Sequence, residues 1–201
     1  RLVLQRAGQE RPSGRRSACR SGGAVDVTAK TSVTYTGTNI ANNGIDIATH
    51  ADSTAFTATL NGGAKDETFT ITGGGKQTGI TVTGNLGAGT NNVIVYMASN
   101  TASTDTTTAQ TVNLSGVTGS SKSGTTTSTT LRDTDSNITY TGSAVKDTIT
   151  LVASSSKIIS ITDSVIDTVA AEKDALVIDG AAGALTYTNL SVSGIELLEV
   201  K

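Results

Sequence analysis

Four residues at nearly even spacing carry the groups best suited to chemistry in this chain: Asp66, Asn91, Asp147 and Asp174. Each closes a run of small residues and leads into an alternating strand. The runs are Gly62-Gly63-Ala64-Lys65-Asp66-Glu67-Thr68-Phe69, Gly87-Ala88-Gly89-Thr90-Asn91-Asn92-Val93, Gly142-Ser143-Ala144-Val145-Lys146-Asp147-Thr148-Ile149 and Ala171-Glu172-Lys173-Asp174-Ala175-Leu176. Oxygen-bearing side chains in glycine-rich turns suit a hard cation such as calcium, which takes roughly six to eight oxygen ligands. The same side chains also accept hydrogen bonds from nearby backbone N–H groups as Asx-turns. Both roles are open at all four positions. The lysine directly before Asp66, Asp147 and Asp174 favours the turn role, because a neighbouring cation weakens a metal site.

The spacing predicts the elements that position these residues. Asp66 and Asn91 are 25 residues apart, Asp147 and Asp174 are 27 apart, and Asn91 and Asp147 are 56 apart, or two steps of 28. Repeats of about 20 to 50 residues indicate coils or hairpins stacked on one another. Between the turns, apolar residues alternate with Thr and Ser over four to six positions, the period of a half-buried strand. Such strands are expected at 25–28, 32–35, 45–47, 55–60, 67–72, 80–83, 93–97, 112–114, 126–131, 147–152, 157–162, 175–178, 184–188 and 195–200. Asn137-Ile138-Thr139-Tyr140-Thr141-Gly142 echoes Ser32-Val33-Thr34-Tyr35-Thr36-Gly37, so the two halves read as diverged copies. The only helical turn expected spans 164–173, capped by Asp163 or Ser164.

Composition agrees. There are 22 Gly but only four Tyr, two Phe, one Met and no Trp, so any core is thin. Threonine and the aliphatic residues fit a pleated surface, and Gly and Asn fit its turns. The expected fold is all-β, either a β-solenoid of the β-roll or β-helix kind or a layered β-sandwich. No stretch approaches the roughly 18 apolar residues of a spanning helix, so membrane insertion by that route is not expected.

The net charge of −2 conceals a break near residue 24. Residues 1–23 hold Arg1, Arg6, Arg11, Arg15, Arg16 and Arg20 against one acid, Glu10, together with the only Pro and the only Cys. This basic leader reads as vector-derived, mis-framed or disordered; it lacks the apolar run of a secretory signal. The acidic remainder argues against nucleic acid as a partner. Its freedom from cysteine fits a protein of the cell exterior. The expected organisation is a β-repeat region over 24–117, a Ser/Thr-rich linker or pair of edge strands over 118–136, and a second β-repeat region over 137–201.

The calcium β-roll repeat has the form Gly-Gly-x-Gly-x-Asp-x-apolar-x. Leu86–Ile94 supplies Gly87, Gly89 and Val93, with Asn91 where the acid belongs; Gly142–Thr150 supplies Gly142, Asp147 and Ile149. With the closing run Leu190-Ser191-Val192-Ser193-Gly194-Ile195-Glu196-Leu197-Leu198-Glu199-Val200, these segments resemble bacterial surface-layer proteins and related RTX-type exported proteins. The resemblance covers about 62–97 and 138–200. It implies export through a one-step secretion channel, folding where calcium is plentiful, and a cell-surface location.

The expected function is therefore structural: a self-assembling surface layer or filament whose partners are copies of itself. Val25, Val27, Val33, Tyr35, Ile195, Leu197 and Val200 are the candidate edge-strand residues for that assembly, since unprotected edges template strand addition. An adhesin binding cell-surface polysaccharide is the alternative. Catalysis has little footing. His50 is the single histidine, near Asp52 and Ser53, with no Gly-x-Ser-x-Gly elbow, and six aromatics are few for a polysaccharide-cleaving groove.

Overall fold

The computed structural model describes residues 25–37, 43–50, 53–74, 78–97, 110–119, 124–131, 137–152, 155–163, 165, 172–180 and 184–201. The strands follow in order as β1 (Val25–Ala29), β2 (Ser32–Thr36), β3 (Asn43–Thr49), β4 (Ala55–Asn61), β5 (Glu67–Thr72), β6 (Gly79–Asn85), β7 (Asn91–Met97) and β8 (Gln110–Thr118). The second half adds β9 (Thr126–Leu131), β10 (Ile138–Thr141), β11 (Lys146–Leu151), β12 (Ser155–Thr162), β13 (Ala175–Ile178), β14 (Tyr187–Ser193) and β15 (Leu197–Val200).

Odd-numbered strands make one eight-stranded sheet and even-numbered strands a seven-stranded one, and neighbours within each sheet run parallel. Parallel neighbours need a crossover between them. Here the crossover is the intervening strand on the opposite sheet, so each coil lays one strand on each face. The chain is a β-solenoid; hairpins and an antiparallel sandwich are excluded by the parallel registers.

Alternation along each strand becomes columns across the stack. Val27, Ile47, Ile71, Val95, Thr129, Ile149 and Leu176 stand in register and are all buried. On the facing sheet, Phe56, Ile80, Val112, Tyr140 and Ile161 do the same. Between the sheets, Tyr35 meets Phe69 edge-on with ring centroids 5.1 Å apart. Coils approach closely at their corners. Gly84 has φ of +124°, and a Cβ there would collide with the Leu60 carbonyl of the coil before, so only glycine fits.

The Ser/Thr-rich stretch differs from expectation. β9 pairs with β7 on one side and β11 on the other, so 126–131 is an internal strand and neither a linker nor an edge. Thr127 and Thr129 are buried where the preceding coil places Val93 and Val95. Their hydroxyls occupy apolar columns, which is why composition alone resembled a linker. The true edges, among the described residues, are β1 and β15 of one sheet and β2 and β14 of the other. Three of these four were expected. Val27, Val33 and Tyr35 face the core, Ile195 is half-buried, and Leu197 and Val200 are 52% and 71% exposed. The Val25 side chain, the basic leader and most of the expected helical turn lie outside the described residues.

Truncating a column residue leaves a cavity that rigid coils on both sides cannot close. Ile71→Ala should cost about 2–5 kcal/mol, whereas Thr70→Ala, whose side chain faces outward, should stay within about 0.5 kcal/mol. Urea unfolding of the two variants checks the inward and outward assignment.

Candidate metal centre

The candidate site lies at the corners where the chain passes from the even-stranded sheet back to the odd-stranded one. Every such corner must satisfy backbone N–H groups that no ladder reaches, inside an interior that excludes water. The chain does this with one inward oxygen at the start of the next strand. Glu67 Oε2 accepts the Gly63 N–H at 2.8 Å, and Asp147 Oδ2 accepts the Ser143 N–H at 2.6 Å, each four residues back. The same oxygen-bearing residues also tie coil to coil. Asn91 Oδ1 accepts the Glu67 N–H at 2.7 Å, Asp174 Oδ1 accepts the Asp147 N–H at 2.6 Å, and Glu196 Oε2 accepts the Asp174 N–H at 2.9 Å.

Of the four positions singled out from sequence, three take this inward role. Asn91, Asp147 and Asp174 are buried. Asn91 also donates through Nδ2 to the Leu86 and Gly89 carbonyls at 2.5 and 3.1 Å, so its amide is spent on its own turn. Asp66 is displaced from the inward column by one residue. It is exposed and its Oδ1 accepts the Thr90 N–H at 2.8 Å, while Glu67 is the buried partner in register with Asn91. Successive strand residues face opposite sides, so this one-residue difference exchanges core for solvent.

Asp147 and Asp174 do not stand alone. Asp163, directly after β12, completes a buried trio whose ligand oxygens all lie within 4.8 Å of one another. Asp147 stands in register with Thr127, Val93 and Phe69, so a column that begins apolar turns acidic in the second half. Its oxygens accept the Thr127 hydroxyl, the Ser143 N–H and, at 2.8 Å, the Ser143 hydroxyl. Asp163 Oδ1 accepts the Val165 N–H at 2.7 Å, but the buried Asp163 Oδ2 has no hydrogen-bond partner. The Tyr140 hydroxyl, wholly buried nearby, makes no hydrogen bond to a carboxylate.

Burial makes the ionised forms costly. It pushes Asp163 up to about 7, with neighbouring Asp147 and then Glu196 raising it further, and burial likewise raises Asp147. Tyr140 is held well above the usual phenol range by burial first and by the Asp147 charge second. Lys146 alternates outward from Asp147 and is half-buried, so it does not fill the cluster. The sequence missed Glu67, Asp163 and Tyr140 as site residues. The signal for Asp163 was present: Thr36-Gly37 and Thr141-Gly142 end their strands as Thr162-Asp163 ends β12.

The catalytic set considered from sequence falls only partly on described residues. Ser53 is buried with its hydroxyl donating to the Lys30 carbonyl at 2.6 Å, His50 is exposed, and Asp52 lies outside the described residues. Comparison with protein-family models, with curated proteins and with solved structures gives no match.

Two outcomes follow for the protein in chelator. A carboxyl whose folded pKa is raised binds its proton more tightly in the native state, so its contribution is complete below about pH 3.8 and is lost as pH rises through about 7. Chemical denaturation should therefore show stability falling between about pH 4 and 7, and Asp163→Asn should flatten that fall. In the first half, Tyr35 donates to Glu67 Oε1 at 2.7 Å, so Tyr35→Phe should cost about 1.5–3 kcal/mol. Tyr140→Phe, which breaks no hydrogen bond to a carboxylate, should cost clearly less in the same measurement.

Proposed function

We propose that this chain is a structural β-solenoid of the cell exterior that joins copies of itself through the exposed apolar residues of β14 and β15, forming a layer or filament. The observation that carries this reading is an uncovered core layer. Ile161 and Leu176 are 1% and 3% exposed, yet their in-register successors Val192 and Leu198 are 40% and 64% exposed. Val200, following Ile178, is 71% exposed. The same layer presents the outer edges of β14 and β15, whose backbone groups on that side have no strand partner among the described residues.

A β-layer from another copy satisfies both needs at once, covering the apolar columns and continuing the ladders. Pairing of unlike ends repeats without closing and gives fibres or arrays. The resemblance to surface-layer and RTX-type proteins supports the same reading, as does the use of buried polar groups to hold turns. No catalytic step belongs to it.

A second reading rests on the outer face of β1, β3 and β5. Asp26, Thr28, Asp46, Thr70 and Thr72 line a shallow groove there of about 250 Å³, with Asp26 and Asp46 in register on neighbouring strands. Carboxylates beside hydroxyls suit a polysaccharide, which is the adhesin alternative.

Light scattering across a concentration series tests the first reading. The chain should grow with concentration, and the Leu198→Lys, Val200→Lys double variant, altered only at exposed positions, should stay folded and monomeric. A wild type that stays monomeric at high concentration would overturn it. For the second reading, a glycan array should show selective binding that Asp46→Ala abolishes.

A further inference from the structure

We propose that Asp147, Asp163 and Asp174 bind one divalent cation, calcium by ligand type, through an interior site beneath Gly142 that clamps together the coils bearing β11, β12 and β13. This inference is independent of self-association.

The chain contains its own control. Tyr35, two residues before Gly37, and Tyr140, two residues before Gly142, stand at matching corners of the two halves. In the first half the corner encloses one carboxylate, and donors match acceptors. Glu67 Oε1 takes the Tyr35 hydroxyl and Oε2 takes the Gly63 N–H. Gly37 leaves room for that carboxylate, since a Cβ there would sit 2.9 Å from Oε2.

In the second half the same corner encloses three carboxylates. A Cβ on Gly142 would collide with Asp163 Oδ2 and lie 2.6 Å from Asp147 Oδ2, so both carboxylates reach into the space that glycine vacates. Asp163 Oδ2 is buried without a donor, and the buried Tyr140 hydroxyl makes no hydrogen bond to any of the three carboxylates. Tyr140 is close enough to Asp147 and Asp163 for both charges to act on it. Hydrogen bonding balances the first corner and leaves the second short of positive charge.

The column at this corner makes the departure specific. The N–H groups of Gly37, Gly62, Leu86, Gly142 and Asp163 each donate to the last strand carbonyl of the following coil, between 2.6 and 2.9 Å. The positions beside Asp163, Gly142 and Gly194, are glycine, and a Cβ on Gly194 would strike the Asp163 backbone. An acid set between two glycines in an otherwise small or apolar column has no packing purpose that glycine would not serve better.

Geometry selects the ion. Oxygens on opposite sides of calcium, bound at about 2.4 Å each, are about 4.8 Å apart. The trio spans no more than 4.8 Å. Magnesium dehydrates reluctantly and usually keeps several waters, which suits it less than calcium to an interior site walled by protein oxygens. Carboxylates are hard ligands, and no His or Cys belongs to the trio, so softer metals are disfavoured.

Terbium, an oxygen-seeking stand-in for calcium, emits when excited through a nearby tyrosine, and Tyr140 is placed for that transfer. Titration of the full chain with terbium should give emission that saturates at one equivalent and is displaced by calcium more readily than by magnesium. Calcium at about a hundredfold its dissociation constant should raise Tm by about 5–10 °C. Asp163→Gly, which extends the glycine column and so keeps the fold, should lose both effects. Tyr140→Phe should lose most of the emission but keep a calcium shift in Tm. Two results would overturn the proposal. One is wild type without saturable emission or a calcium shift while Asp163→Asn and Asp163→Gly raise Tm near neutral pH, meaning that the acids share a proton. The other is a calcium shift and emission that persist in Asp163→Gly, meaning that the ion sits elsewhere.

Discussion

A coiled chain must turn a corner twice per coil, and each corner buries backbone N–H groups that the strand ladders cannot reach. Leaving one unpaired costs roughly 1–3 kcal/mol. This chain meets the constraint with inward polar side chains at the starts of strands: Glu67 and Asp147 reach back to their own turns, and Asn91 and Asp174 reach across to the backbone of the coil before. Register follows from that choice. A slip of one residue would turn Glu67, Asn91 or Asp147 to solvent and strand the N–H groups they hold, besides exposing the apolar columns. The thin aliphatic interior supplies the bulk of the driving force, while the corner oxygens determine which stacking it stabilises.

Much of the fold was legible because its signal is local. Alternation in Glu67-Thr68-Phe69-Thr70-Ile71-Thr72 or Lys146-Asp147-Thr148-Ile149-Thr150-Leu151 places strands directly, and glycine and asparagine mark the corners between them. The parallel arrangement was not legible, because hairpins and coils give the same alternation and differ only in which distant strand becomes the neighbour. Thr127 and Thr129 were obscured by composition: a threonine buried beside a carboxylate or an isoleucine has the same letter as one in a linker.

The acid site was half legible for a related reason. Asp147 and Asp174 stand out by spacing, and both are inward. Asp66 shared that spacing but faces solvent, since its neighbour Glu67 holds the column. Asp163 follows a strand instead of preceding one, so no repeat of the turn motif contains it. Its presence at the corner depends on Thr162 and Thr141 lying in register, a long-range fact. The two halves thus share a scaffold and differ in charge: one carboxylate with matched donors in the first, and three in the second, where Asp163 Oδ2 has no donor.

Hydrogen exchange followed residue by residue tests most directly whether inward oxygens hold the corners. The amides of Gly63, Glu67, Ser143, Asp147 and Asp174 lie at turns or strand starts, where exchange is ordinarily fast. The account predicts that they exchange only through global unfolding, as slowly as the amides of Ile71 and Ile149 within the core strands. Exchange at these five positions by local opening, with the core strands still protected, would contradict it.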